Sequence, residues 1–116
     1  KDSLYHAAKS SGVTIRITGK IPDGDPSELI YTAMQVCLTN AVQYAKATEL
    51  AACIRENDDY VTVEIRNNGK QPEQPVREGG GLTNLRRRIE AAGGTMRIQS
   101  LPEFALCIEI PKRKHE

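Results

Sequence analysis

Residues 60–70 read YVTVEIRNNGK. Val61, Val63 and Ile65 alternate with Thr62, Glu64 and Arg66, the period-two pattern of a half-buried strand. Asn67, Asn68 and Gly69 then close the strand with residues that tolerate a sharp turn. Such a triplet can be plain loop punctuation or the floor of a ligand pocket, and the surrounding chain must decide.

The same alternation recurs on both sides. Val13, Ile15 and Ile17 alternate with Thr14, Arg16 and Thr18, and residues 48–56 form a hairpin with 60–66 across the NDD turn. Met96 and Ile98 mark a fourth strand. Phe104, Leu106, Ile108 and Ile110 mark a fifth, ended by Pro111. The opposite face of these strands carries Thr14, Arg16, Thr18, Thr62, Glu64, Thr95, Arg97, Gln99 and Glu109. A sheet with one wet face is antiparallel or mixed, with helices on its other face.

Helices are legible between the strands. Leu4 to Lys9 reads as the end of one. Ile30, Ala33, Cys37, Ala41 and Tyr44 recur at three- and four-residue steps, predicting an amphipathic helix over roughly 26–46. Asp25 is its expected cap, with Pro26 at the first helical position and Glu28 reaching back. Residues 70–81, KQPEQPVREGGG, read as loop. Leu82, Leu85, Ile89 and Ala92 mark a further helix, stopped by Gly93 and Gly94. The expected fold is an α/β (α+β) two-layer sandwich: a mixed, mainly antiparallel sheet of about five strands with helices on one face, forming a single domain over 1–116.

Composition narrows the function. Sixteen Lys and Arg against fifteen Asp and Glu leave a charge of +1, too weak a field to hold nucleic acid or an anionic membrane. No apolar stretch approaches a membrane span, and no secretory signal opens the chain. Cys37, Cys53 and Cys107 read as reduced, mostly buried small hydrophobes of a cytosolic protein. His6 and His115 lack the spacing to make a zinc site with them. The opening KDSLYHAAK has no initiator methionine, so a longer parent chain is expected.

Two stretches offer chemistry. Val36, Asn40 and Tyr44 lie four residues apart at the edge of the apolar stripe, so Asn40 is a short amide aimed inward or into a cleft. It can bond a neighbouring backbone group, or offer its oxygen to a hard cation. In EGGGLTNLRRR (78–88), glycines before a helix leave N–H groups bare at the positive end of its dipole, a place for an anion. The run Arg86–Arg87–Arg88 reads as a solvated face. No Gly-x-Ser-x-Gly, Cys/His pair or useful carboxylate pair is present, so any chemistry must come with a bound cofactor and phosphate.

CLTNAVQYAKATEL (37–50), VTVEIRNNGK (61–70) and GGGLTNLRRRIEAAGGTMRIQS (79–100) stand in a fixed order. Together they resemble the ATP-binding domain of two-component sensor histidine kinases, the GHKL or Bergerat fold, over about Asp25 to Pro111. The brief segment between Gly69 and Gly79 is similar to the short-lid kinases related to nitrate and membrane-fluidity sensors. The resemblance implies ATP and Mg²⁺ as ligands. It gives Asn40 the Mg²⁺ role and Asn67 the adenine amino group. Gly69 would let the backbone approach the base, with Gln43 and Tyr44 in the same ATP site. Gly79, Gly80, Gly81 and Leu82 would form the glycine-rich lid and the helix terminus near the phosphates. On this reading the Asn67–Gly69 turn is the adenine floor.

Three positions depart from the family pattern. Val36 stands where a glutamate usually polarises the nucleophile, and Gln35 is one step round the helix. Asn67 replaces an aspartate, leaving a neutral hydrogen bond and a weaker bias against guanine. Ala105 and Leu106 stand where a Gly-x-Gly-Thr ending often supplies a hydroxyl to the base side. The resemblance therefore implies a cytoplasmic catalytic domain that presents Mg-ATP to a histidine on a separate dimerisation (phosphoacceptor) domain, with a response regulator downstream. By itself it is not expected to autophosphorylate. The alternative is a degenerate GHKL module that binds nucleotide or a partner without phosphotransfer.

Overall fold

The computed structural model describes residues 2–70, 80–99 and 103–112. Helix α1 (Asp2–Ser10) leads into strand β1 (Thr14–Thr18), and helix α2 (Asp25–Asn40) continues into a π-helical turn (Ala41–Ala45). Strands β2 (Glu49–Glu56) and β3 (Tyr60–Asn67) follow, then helix α3 (Gly81–Ala91) and strands β4 (Thr95–Gln99) and β5 (Ala105–Pro111). The sheet order is β1-β2-β3-β5-β4. Only β1 and β2 run parallel, because α2 carries the chain back across the sheet between them. The other pairs are antiparallel.

All three helices lie on one face. Leu4 and Ala8 of α1, Ile30, Met34 and Leu38 of α2, and Leu85 and Ile89 of α3 pack in one cluster with Leu50, Ile54, Val61, Val63, Ile65, Ile108 and Ile110. Val61, Val63 and Ile65 are fully buried, each stabilising the fold by about 1.5–3 kcal/mol. The expected two-layer sandwich is the observed one. No helix among the described residues is long and apolar enough to cross a membrane.

Three expectations are corrected. The long helix was expected to run regularly to about residue 46, but α-helical bonding ends at Asn40. Wider π turns follow, and Lys46, at φ 51°, ends them with its N–H on the Ala41 carbonyl. That change of pitch swings Tyr44 out of the apolar stripe, leaving it 74% exposed. At the other end Asp25 does not cap; the chain turns at Gly24 (φ 91°), Asp25 is already helical, and Ser27 Oγ donates to the Gly24 carbonyl at 2.7 Å.

The third correction concerns the cysteines. Cys37 is buried, but Cys53 and Cys107 are only partly so, because they sit on the outer face of the sheet. Each is in register with Glu64 on the strand between them. Two strand spacings, about 9.6 Å, separate them, beyond the reach of a disulfide. Burial pushes the Cys37 thiol up to about 12. The folded pKa lies above the unfolded one near 9, so this contribution is complete below pH 9 and is lost as pH rises toward 12. Thiol labelling of the native chain should therefore modify Cys53 and Cys107 quickly and Cys37 only on unfolding. In Cys37→Ala the loss of stability above pH 9 should be shallower.

Candidate functional site

A cavity of about 680 Å³ opens between α2 with its π turn, the end of β3, and the N-terminus of α3. Gln35, Val36, Thr39, Asn40, Gln43, Tyr44 and Ala45 form one wall. The helix interior supplies the first four at adjacent positions on one side, and the π turn carries the next three round to the same side. Thr39 Oγ1 is spent on the Gln35 carbonyl (3.1 Å). The Asn40 amide makes no hydrogen bond to any described residue. Its oxygen is therefore available to the cavity, and the satisfied-neighbour reading of Asn40 does not hold.

The Asn67–Gly69 turn divides its labour. Asn68 faces away from the cavity: its Oδ1 accepts from the Thr48 and Glu49 N–H groups, both at 2.9 Å, and its Nδ2 donates to Thr48 Oγ1 at 2.9 Å. This ties the end of β3 to the start of β2. Asn67 lines the cavity, and its Oδ1 accepts the Gly69 N–H at 2.8 Å. Gly69 is not part of the lining. A Cβ there would lie 2.6 Å from Ala45 Cβ and closer still to the Ala45 carbonyl oxygen, which accepts the Lys70 N–H at 2.9 Å. The glycine is thus required by the close approach of the π turn.

At the opposite end stand Gly80, Gly81 and Leu82. Gly80 precedes α3 at φ 47°, and no side chain caps the helix. Its first N–H groups are therefore open to an anion from the cavity. Val36 fills the space beside them, its Cγ1 3.3 Å from where a Gly81 Cβ would be. Lys70 also lines the cavity and is the one charged residue among the described lining. From Val36 to Ala45 is nine residues, a length of about 13 Å along the helix. One end thus suits an anion, and the other offers the apolar Ala45 and Phe104 beside the Asn67 amide.

The structure gathers Asn40, Gln43, Tyr44, Asn67, Gly80, Gly81 and Leu82 around one cavity, with Val36 among them. Gly79 lies outside the described residues. Ala105 and Leu106 are fully buried and do not reach the cavity; Phe104, one residue earlier, does. The arginine run lies on the solvent side, with Arg87 and Arg88 exposed: Arg86 donates to the Met96 carbonyl (2.7 Å), covering the edge of β4, and Arg88 faces Glu28 at 3.7 Å. None of the three lines the cavity. Sequence reasoning missed Thr39, Ala45, Lys70 and Phe104. The signal for Thr39 was its place on the helix beside Asn40. For Phe104, the chain's single phenylalanine, it was a position just before the last buried strand.

A cleft with an uncapped helix terminus open to an anion at one end and an apolar, amide-edged slot at the other has the form of a nucleotide site. Comparison with known proteins names it. The family described as histidine kinase-, DNA gyrase B- and HSP90-like ATPase matches residues 24–114. The sensor histidine kinase YxjM of Bacillus subtilis is 34% identical over 84 residues, covering 72% of this chain and 20% of YxjM. The sensor protein VraS of Staphylococcus aureus is 29% identical over 93 residues, covering 78% of this chain and 26% of VraS. The chain thus spans about a quarter or less of the curated relatives it matches. Among solved structures, the Acinetobacter baumannii histidine kinase AdeS superposes with a TM-score of 0.74 at 16% identity, covering 97% of this chain and 63% of AdeS. The ATP-binding domain of PrrB from Mycobacterium tuberculosis gives 0.72 at 18%, covering 97% and 90%. At such identities the likeness speaks for the fold. The chain belongs to the histidine kinase-, DNA gyrase B- and HSP90-like ATPase family, as an ATP-binding module similar to that of sensor histidine kinases.

Proposed function

We propose that this single domain presents Mg-ATP, in the cavity between α2 and α3, for phosphoryl transfer to a histidine on a separate dimerisation domain of a longer cytoplasmic kinase, which then serves a response regulator. The observation that carries this reading is the polarity of the cavity. The uncapped α3 terminus favours phosphate at one end, and the Asn67 amide beside Ala45 and Phe104 favours a base at the other.

The donor set bears on magnesium. No described lining residue is a carboxylate, and the described residues hold no cluster of His, Cys, Asp and Glu able to bind a metal. Asn40 Oδ1 is a suitable neutral oxygen for an ion that keeps waters and phosphate oxygens as its other ligands. When bound, Mg²⁺ would neutralise phosphate charge. The ion would therefore arrive with the nucleotide, and magnesium alone should not stabilise the chain. Gly80, Gly81 and Leu82 would orient the phosphates through backbone N–H groups. Val36 can neither take a proton nor orient a nucleophile, so positioning carries the reaction.

The test is transfer from labelled ATP to the phosphoacceptor domain in the parent protein. The native domain should transfer slowly. Val36→Glu, which sets a carboxylate beside the α3 terminus, should raise the rate by about 10²-fold. Transfer by the variant with none by the native protein would instead establish the degenerate module.

A further inference from the structure

We propose that the base end of this cavity accepts 6-oxopurine nucleotides such as inosine triphosphate as readily as ATP, because of how Asn67 is held. This rests on the nucleotide reading above and concerns the same site.

Asn67 is the last residue of β3 and lines the cavity beside Ala45 and Phe104. The Gly69 N–H, 2.8 Å from its side chain, is a donor and nothing else. The atom facing it must therefore be the amide oxygen, which fixes the orientation of the whole amide. Gly69 cannot move away, since it is wedged against Ala45 and the next N–H is bonded to the Ala45 carbonyl. With Oδ1 committed to the turn, the Nδ2 amino group is left, and it has no acceptor among the described residues. No described lining residue carries a carboxylate that could act as a pure acceptor toward a base.

A donor at that edge meets the 6-oxygen of hypoxanthine directly. Adenine can satisfy it only through a ring nitrogen, and its own amino group must share the lone pairs of an oxygen already in use. The ribose and phosphates are the same in both nucleotides, so the anion end of the cavity contributes nothing to the choice.

The test compares the Kd of ATP and inosine triphosphate, each with Mg²⁺, for this chain and for Asn67→Asp. Aspartate keeps an oxygen for the Gly69 N–H, so the turn survives, but it turns a second acceptor toward the base. The native chain should bind the two within about tenfold of each other. Asn67→Asp should favour ATP by about a hundredfold or more, since a carboxylate against a 6-oxygen leaves two acceptors unpaired. A native preference for ATP above tenfold overturns the inference while leaving the nucleotide site standing. An unchanged ratio in Asn67→Asp also overturns it. Binding of neither nucleotide overturns the inference together with the nucleotide reading.

Discussion

Gly69→Ala should destabilise the chain by about 3 kcal/mol and abolish tight nucleotide binding. The added Cβ would meet Ala45 Cβ at 2.6 Å and its carbonyl carbon at 2.8 Å, with the carbonyl oxygen nearer still. These are mostly backbone atoms, and no side-chain rotation relieves them. Either the β3 turn or the π turn must retreat. Retreat breaks the 2.9 Å bond from the Lys70 N–H to the Ala45 carbonyl and pulls Asn67 from the cavity edge. For a domain of this size the loss corresponds to a melting temperature lower by roughly 10 °C, a large share of an ordinary stability margin. Differential scanning calorimetry checks it. A fall of less than about 1 kcal/mol would mean that the two turns are not locked together as described.

Asn40→Ala should do the reverse: little to stability and much to binding. The Asn40 amide touches the cavity and bonds to no described residue, so its loss should move the nucleotide-free stability by no more than about 0.5 kcal/mol. It removes the neutral oxygen proposed for magnesium, and affinity for Mg-ATP should fall at least about tenfold, or 1.4 kcal/mol. Affinity for ATP without magnesium should change little. Asn40→Asp restores an oxygen, now charged, and should recover magnesium dependence. Isothermal titration of the three proteins decides this. Equal loss with and without magnesium would place Asn40 on the nucleotide itself.

Much of this architecture was legible in the chain, and the reasons differ by element. Strands with strict alternation, such as Val61–Ile65, can bury only one face, so the sheet and its helical cover follow directly. The pocket residues on α2 were legible because Asn40 stands on the edge of an apolar stripe where an amide has no packing purpose. The π turn was not legible. It ends where Ala45 packs against Gly69 and its carbonyl accepts the Lys70 N–H, contacts that are distant in sequence. For the same reason Gly69 was read as clearance for a base when its missing Cβ answers to Ala45. Phe104 was read as the start of the last strand because the alternation continues through it, but that strand begins at Ala105. Only the end of the sheet beside β3 shows that it faces the cavity.

Binding of ATP with magnesium between α2 and α3 is read off the melting temperature of this chain with ATP, with and without Mg²⁺, beside Mg²⁺ alone. At about 100 times Kd, bound nucleotide adds roughly 2.7 kcal/mol, a shift of several degrees. That shift should appear with Mg-ATP, a smaller one with ATP alone, and none with the ion alone. No shift at millimolar Mg-ATP would mean that the cavity is not a nucleotide site.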